Sequence, residues 1–479
     1  AAAAGLTALA GGALAYRRAG ARTASRSLQR PFRLYEGEQA VPDRADQYDG
    51  INDTRPVDVA DKDGAVHVFV VGDWGATLPN HCTFPCEGSD QDAQSKVAAV
   101  MQDRASWANP QYVLNVGDNF YVEGLQHSCD APPGDDQDAT VADFASGWAE
   151  MYGPVADVPW LGVLGNHDYG GWRFDKGWPQ QIGYSFVNHN WILPARYYMK
   201  RIQHPGFYID YFMFDSNAFD AKGFDEDNQE HNICSNHNAG GIGQCASNGG
   251  MPSIEGCKDW FWDSHRLQQA WVEEKMAASD AHWKVIVTHF PCGYETDWYK
   301  KLKKEHGLDL VLTGHRHQQE LWWSGTSSDY VRAFMETTSW DNDAPQCVVS
   351  GGGGGIVSQK FEYADYGADL GWYGFFDLTI KKSSMLIELL DWDGTSIGNV
   401  TIYPHGSAEA EKLRKNPVKP KAKGICESYC GDSNNPWDKV CGWGTDPWMS
   451  CASCPDCHKK PAADPATSAE AAADAAEAE

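Results

Sequence analysis

Five short apolar runs in this chain each end in side chains of the kind that bind metal ions. They are VGDWG with Asp73, VGDNFY with Asp118 and Tyr121, LGNHD with Asn166 and His167, VTHFP with His289, and LTGHRH with His315 and His317. One such segment would mean little. Five in order, each closing a buried-strand pattern, constrain the fold strongly, because open α/β sheets bind ligands beyond the carboxyl ends of their strands. The five are therefore expected to face one crevice. Asp73, Asp118, Tyr121, Asn166, His289, His315 and His317 make seven candidate ligands, more than one ion ordinarily takes. If one carboxylate bridges, two ions each receive four protein ligands and keep positions for water and substrate. Such a pair, about 3.5–4 Å apart, suits in-line displacement at phosphorus.

The rest of the pattern agrees. HVFVVGD (67–73), YVLNVGD (112–118) and WLGVLGNHD (160–168) read as strands, with helices over 95–108 and 141–153 between them. A helix over 265–279 precedes strands at 283–290 and 308–315. Strand-like runs without helices follow at 319–323, 332–338, 346–350, 374–380, 384–392 and 399–404. The first two groups imply an α/β domain with a largely parallel sheet. The later strands imply a second sheet packed on the first, with helices outside.

The order Asp, Gly-Asp, Gly-Asn-His-Asp, His, Gly-His-x-His resembles the calcineurin-like metallophosphoesterases. Many of these carry Asp-x-His in the first segment, where this chain has Asp73-Trp74-Gly75 and a tyrosine in GDNFY. That exchange resembles the purple acid phosphatases, and residues 66–404 are most similar to the small, tartrate-resistant type. The resemblance implies a four-layer α/β/β/α sandwich of two mixed sheets flanked by helices. It implies Fe(III) at Asp73, Tyr121 and His317, a divalent Fe, Zn or Mn ion at Asn166, His289 and His315, and Asp118 bridging them. Hard anionic oxygen donors suit the trivalent ion and the imidazole-rich side the divalent one. The implied activity is acid phosphatase: hydroxide formed on the metals attacks a phosphomonoester. Asn166 and His167 would contact substrate, with His167 holding the phosphoryl group or protonating the leaving oxygen and Asp168 orienting its ring. Alternatives are a phosphodiesterase or pyrophosphatase using the same metals, or a surface-binding protein with a vestigial phosphatase domain.

Three features depart from the family pattern. The loop CGYETDWYKKLKKEHG lacks the histidine expected after the VTHFP segment, His306 lying just before the next strand. Arg316 stands between two ligands, where it either touches substrate or points away. Thr288 replaces a glycine, a matter of packing. The run Gly351–Gly355 lacks the Lys-Ser/Thr of a phosphate loop and reads as close backbone packing near the site. Seven other histidines, His81, His127, His204, His231, His237, His265 and His282, have no ligand spacing and are expected on surfaces or loops.

A formal charge of −27 over 479 residues argues against nucleic acid or an anionic membrane surface as partner. Metal ions would supply the positive charge that a phosphoester substrate, small molecule or protein, requires. Fourteen cysteines, with sequons at Asn52 and Asn399, fit an oxidising, secreted or lysosome-like compartment. Residues 1–65 read as a leader. The sequence opens without Met, as a fragment of a longer chain would, and its apolar run ends at Tyr16, too short for a membrane span of about 20 residues. The arginines that follow also resemble a plastid-type transit sequence. Membrane attachment is expected only through this segment. Residues 405–424 read as a linker and 425–460 as a Cys-rich module, either three disulfides or a zinc knuckle, whose Trp437, Trp443 and Trp448 form either its core or a face for carbohydrate or protein. Residues 461–479 read as a disordered acidic tail. Cys82, Cys86 and Cys129 are candidates for pairing at the rim. The Asn217–Asp259 insertion, with Cys234, Cys245 and Cys257, is either a lid or a disulfide-tied surface excursion.

Overall fold

The computed structural model describes residues 48–60, 64–77, 93–121, 124–125, 142–169, 178–222, 232–234, 254–322, 343–355, 373–416 and 421–422. Residues 1–47 and 61–63 of the expected leader, the Cys-rich module, the acidic tail and the strand at 332–338 lie outside them. So do Cys82, Cys86, Cys129, Cys245, His81, His127, His231 and His237.

Two sheets carry the fold. In the first, β2 (Val66–Val71), β4 (Tyr112–Asn115), β6 (Trp160–Gly162) and β7 (Trp191–Ile192) run parallel. Beyond β2 an antiparallel meander continues it through β14 (Gly374–Ile380), β15 (Met385–Asp391), β16 (Ser396–Ile402) and β17 (Lys421–Ala422). The second sheet is ordered β1 (Ile51–Asp53), β8 (Tyr198–His204), β9 (Phe207–Met213), β10 (Trp283–Val287), β11 (Leu310–Thr313), β13 (Gln346–Ser350), β12 (Gln319–Trp322). Both sheets are mixed, as expected. Strands β3 (Ala76–Thr77) and β5 (Phe120–Tyr121) form a small parallel ladder of their own.

The near-continuous apolar runs are explained by burial on both faces. In β10, Trp283, Val285 and Val287 join the large core between the sheets, whereas Ile286 joins a second core under the helices. Leu310 and Leu312 of β11 likewise face inward and Val311 outward, the period of two expected of a strand. The outer core packs against α3 (Ile254–Ala278) through Val272 and Met276, and against α4 (Thr296–His306) through Tyr299 and Leu302. On the opposite side α1 (Ala93–Ala108) contributes Val97, Ala98 and Met101. A short helix, α2 (Trp178–Tyr184), is buried along its whole length.

Two expected boundaries move. Strand β1 pairs in register with Tyr198–Lys200 of β8, so the sheet starts before Val66. The expected linker contains α5 (Ala408–Lys415), capped by Ser407, and edge strand β17. The β8–β9 hairpin, not anticipated, turns at Pro205–Gly206, with Gly206 at φ 82°. His204 closes that hairpin as a buried residue stacked on Phe207, and His265 is buried on α3. Neither is the surface or loop residue expected, because each is enclosed by aromatic neighbours. Among the described residues no helix is long and apolar enough to cross a membrane.

Candidate metal centre

Among the described residues, three of the four non-glycine residues with positive φ are Asp73 (53°), Asp118 (54°) and His315 (69°). Each stands just past a strand end, where the left-handed backbone reverses the chain and swings the side chain into the space between the sheets. Such conformations cost about 1–3 kcal/mol each and persist only where the surroundings impose them. Here the imposing contacts are backbone hydrogen bonds: Asp73 N to Gly117 O at 2.9 Å, Gly75 N to Asp118 O at 3.1 Å, and Gly314 N to His289 O at 2.8 Å.

The seven candidate ligands come together as two groups that share Asp118. In one, the Tyr121 hydroxyl lies 2.7 Å from Asp118 Oδ2, 3.3 Å from Asp73 Oδ1 and 3.1 Å from His317 Nε2. In the other, Asn166 Oδ1 lies 2.9 Å from His289 Nε2 and 3.1 Å from His315 Nδ1, with His289 Nε2 3.4 Å from Asp118 Oδ1. Asp73, Asp118, Tyr121, Asn166 and His289 are buried, and His167, His315 and His317 are partly accessible, marking the open side.

This donor set fits cations. The hydroxyl of Tyr121 has one proton for three acceptors. His289 Nδ1 faces Val116 O at 2.8 Å; donating there leaves the Nε2 lone pair facing the oxygens of Asn166 and Asp118. Acceptors opposed at such distances need positive charge between them, a proton or a metal ion. Burial, with the charges of Asp118 and Asp73, pushes the Tyr121 phenol well above its usual range. Burial, with Asp118, also raises Asp73. Against burial, Asp118 lifts His289 to about 9, while burial lowers His317 to about 4 and depresses His315.

The surrounding residues explain why Tyr121 fits. A Cβ built at Gly75 would stand 2.3 Å from Tyr121 Cδ2, and one at Gly355 would stand 2.4 Å from Cε2. The phenol ring lies between two backbones and fills the volume a side chain at position 75 would take. The glycine run thus packs against the site, as expected from sequence.

Asp168 departs from the expected role. Its carboxylate accepts from the backbone N–H of Asn119 at 2.9 Å, Phe120 at 3.2 Å and Gly165 at 2.8 Å, and from the amides of Asn119 at 3.1 Å and Gln181 at 2.7 Å. A carboxylate offers about four lone-pair sites, so these donors occupy it. Asp168 ties the GDNFY loop to the GNHD loop rather than orienting an imidazole. The His167 ring stands edge-on to Tyr121 at 4.6 Å, and its backbone N–H donates to Asp118 Oδ1 at 2.9 Å. Arg316 points away, toward Glu320 at 3.4 Å.

Sequence reasoning missed Asp220, Asp215 and Ser216. The Asn166 amide donates to Asp220 Oδ2 at 3.1 Å, which turns its carbonyl oxygen toward the histidines. Asp215 accepts from Asn217 Nδ2 at 2.7 Å, and that amide also donates to Leu164 O at 2.9 Å beneath the GNHD loop. Ser216 Oγ accepts from Phe290 N at 2.9 Å. The segment FDSNAFD follows β9 as the five motifs follow their strands, and this was the signal available. Of the long insertion, Asn217–Asp220 forms a 3-10 turn at the site and Cys234 pairs with Cys257. Cys292, three residues after His289, is bonded to Cys347 of β13.

The model of the calcineurin-like phosphoesterase family matches residues 66–319, more than half of the chain. Tartrate-resistant acid phosphatase type 5 of Oryctolagus cuniculus is 22% identical over 345 residues, covering 68% of this chain and 87% of that protein. Purple acid phosphatase 17 of Arabidopsis thaliana is 22% identical over 346 residues, covering 68% and 86%. Among solved structures, purple acid phosphatase PPD1 of yellow lupin superimposes with a TM-score of 0.42 at 14% identity, covering 76% of this chain and 58% of that one.

Proposed function

Because the chain belongs to the calcineurin-like phosphoesterase family, we propose that it is an acid phosphatase acting on phosphomonoesters at a dinuclear Fe(III)–M(II) centre. Asp73, Tyr121 and His317 would hold the ferric ion, Asn166, His289 and His315 a divalent Fe, Zn or Mn ion, and Asp118 would bridge. The observation that carries this reading is the convergence of the Tyr121 hydroxyl on Asp73, Asp118 and His317 within 3.3 Å. A phenol so buried among carboxylates keeps its proton unless a strong Lewis acid replaces it.

When bound, the ions supply charge for the phosphoryl oxygens and make water nucleophilic at low pH. The protein's residues do the rest. Asn166, its amide held by Asp220, would give its oxygen to the divalent ion and contact the phosphoryl group. His167, on the accessible side, is positioned to hold that group or protonate the leaving oxygen. Asp168 fixes the loop bearing both. The substrate is a small-molecule or protein phosphomonoester, and a secreted or endomembrane location fits the disulfides.

The test compares the purified protein with Tyr121→Phe by metal analysis, visible absorption and phenyl phosphate hydrolysis. The expected wild type is purple or pink, and the variant loses that colour. A colourless wild type carrying stoichiometric ferric iron would overturn the assignment.

A further inference from the structure

The loop that carries Asn166 and His167 is held from two sides by two different carboxylates. Asp168 ties it to the GDNFY loop after β4. Asp215, just past the end of β9 in the second sheet, holds both ends of it. At one end the Tyr169 hydroxyl donates to Asp215 Oδ2 at 2.5 Å. At the other end Asp215 Oδ1 accepts from Asn217 N at 3.0 Å and from its Nδ2 at 2.7 Å, and that amide also donates to Leu164 O at 2.9 Å. Between these points Tyr169 N donates to Asn166 O at 3.3 Å and closes the turn. Residues 164–169 therefore start and finish on one side chain, with Asn166 and His167 between.

Asp215 is itself fixed. It is 2% exposed, and Gln268 of α3 accepts from its backbone N–H at 2.8 Å and donates to its carbonyl oxygen at 3.2 Å. Arg196, 5% exposed, brings a positive charge close to both Asp215 and Tyr169. Its guanidinium donates to Asp49 and lies 4.1 Å from the Trp260 ring centroid, while its Nε and Nη1 have no hydrogen-bond partner among the described residues. Toward the loop this guanidinium therefore offers charge and no bond. A buried carboxylate needs such a countercharge, and its three donors need an acceptor. The ring of Tyr169 packs against Trp178 at 5.3 Å and Phe261 at 5.0 Å, so its seat does not depend on the hydroxyl.

We propose that Asp215 and Tyr169 are positioning residues of the reaction. The inference rests on the phosphatase reading above. One carboxylate sets the distance and tilt between the two ends of the loop. Through the backbone it places the Asn166 oxygen at the divalent position and the His167 ring at the phosphoryl group together. Such placement matters to rate, because groups held about 1 Å from their working positions can cost about 100-fold. The ferric half lies outside this clamp, since Asp73, Tyr121 and His317 come from other loops.

The experiment compares the full chain with Tyr169→Phe, which keeps the packed ring and removes one end of the clamp, and with Asp215→Asn, which weakens both ends. Divalent-ion affinity is measured by competition titration of the iron-loaded protein, the tyrosinate band by visible absorption, and phenyl phosphate hydrolysis at saturating divalent ion. Tyr169→Phe should weaken the divalent ion about 10-fold. It should lower kcat about 10- to 100-fold with KM within about 2-fold of wild type, and leave the visible band unchanged. Asp215→Asn should lose more on both counts, and Tyr169→Phe decides the question where Asp215→Asn does not fold. A folded Tyr169→Phe with wild-type affinity and kcat overturns the clamp. So does a band that weakens in step with activity, which marks general support of the whole centre. A wild type that binds both metals and hydrolyses no phenyl phosphate overturns the phosphatase reading. In that case an affinity loss confined to the divalent ion upholds the clamp on Asn166, and an unchanged affinity overturns it.

Discussion

At the scale of residues, the tyrosine at position 121 and the glycine at position 75 are one structural choice. The ring of Tyr121 lies where a Cβ at Gly75 would stand, 2.3 Å from Cδ2. Gly75→Ala should therefore displace the phenol by about 1 Å, and a displacement of that size can reduce catalysis about 100-fold. The expected outcome is a folded protein by circular dichroism with weakened visible absorption and a similar fall in kcat; an unchanged spectrum would refute this packing. Asp220 permits a complementary test on the other metal position. It holds the Asn166 amide at 3.1 Å, and loss of such a supporting carboxylate typically lowers metal affinity 10- to 100-fold. Asp220→Ala should weaken the divalent ion by that factor in a competition titration while the tyrosinate absorption stays. If the visible band collapses instead, Asp220 supports the whole centre and not one half.

At the scale of elements, the candidate ligands divide by chemistry between the two sheets. Asp73, Asp118, Tyr121 and Asn166 follow β2, β4 and β6 of the first sheet, and the three histidines follow β10 and β11 of the second. The centre joins the sheets, helped by His315 N donating to Asp73 Oδ2 at 2.9 Å and Ser350 Oγ to Val70 O at 2.9 Å. The bond between Cys292 and Cys347, separated by 55 residues, fixes the loop after His289 to β13. Closing a loop of that length in the unfolded chain is worth about 4 kcal/mol. Replacing both cysteines by serine should lower the unfolding free energy by about that amount, measured by urea titration of the intact protein. The motif strands were legible in the sequence because each is an apolar run closed by a ligand residue. The hairpin at 198–213 was not, although Pro205–Gly206 lies between two alternating runs, because no ligand residue drew attention to it. The donors to Asp168 had no sequence signal either: its position beside His167 suggested an imidazole partner, and the five N–H groups that reach its carboxylate come from Asn119, Phe120, Gly165 and Gln181, three of these residues distant in sequence. Pairing of Cys292 with Cys347 had no local signal, since β11 lies between the strands they adjoin.

At the scale of the whole molecule, the proposed work at acid pH requires a protein that stays folded where its histidines begin to charge, and one buried histidine sets a measurable limit. His204 sits at the inner end of the β8–β9 hairpin, stacked on Phe207 at 4.6 Å, with its Nε2 3.2 Å from the Tyr112 hydroxyl and its Nδ1 without a partner. Tyr112 in turn reaches Tyr211 across the two sheets at 2.7 Å. Burial with no carboxylate beside it lowers His204 to about 4, against 6.5 in the open chain. The folded-state value is the lower one, so between these pH values the unfolded chain binds more protons. Stability from this residue is therefore fully present above pH 6.5 and is lost as pH falls toward 4. The loss approaches roughly 3 kcal/mol at the acid end. His204→Gln removes the titration while keeping a polar side chain of similar reach. Wild-type urea midpoints should decline from pH 7 to pH 4, and the variant's should decline less steeply across the interval between 6.5 and 4, whatever its stability at neutral pH. Equal slopes would show that His204 is protonated in the folded protein as readily as in the unfolded one. The charge of −27 works in the opposite direction, because protonating exposed carboxylates relieves repulsion in the folded state. The slope difference between the two proteins therefore isolates the histidine, where the wild-type slope alone would not.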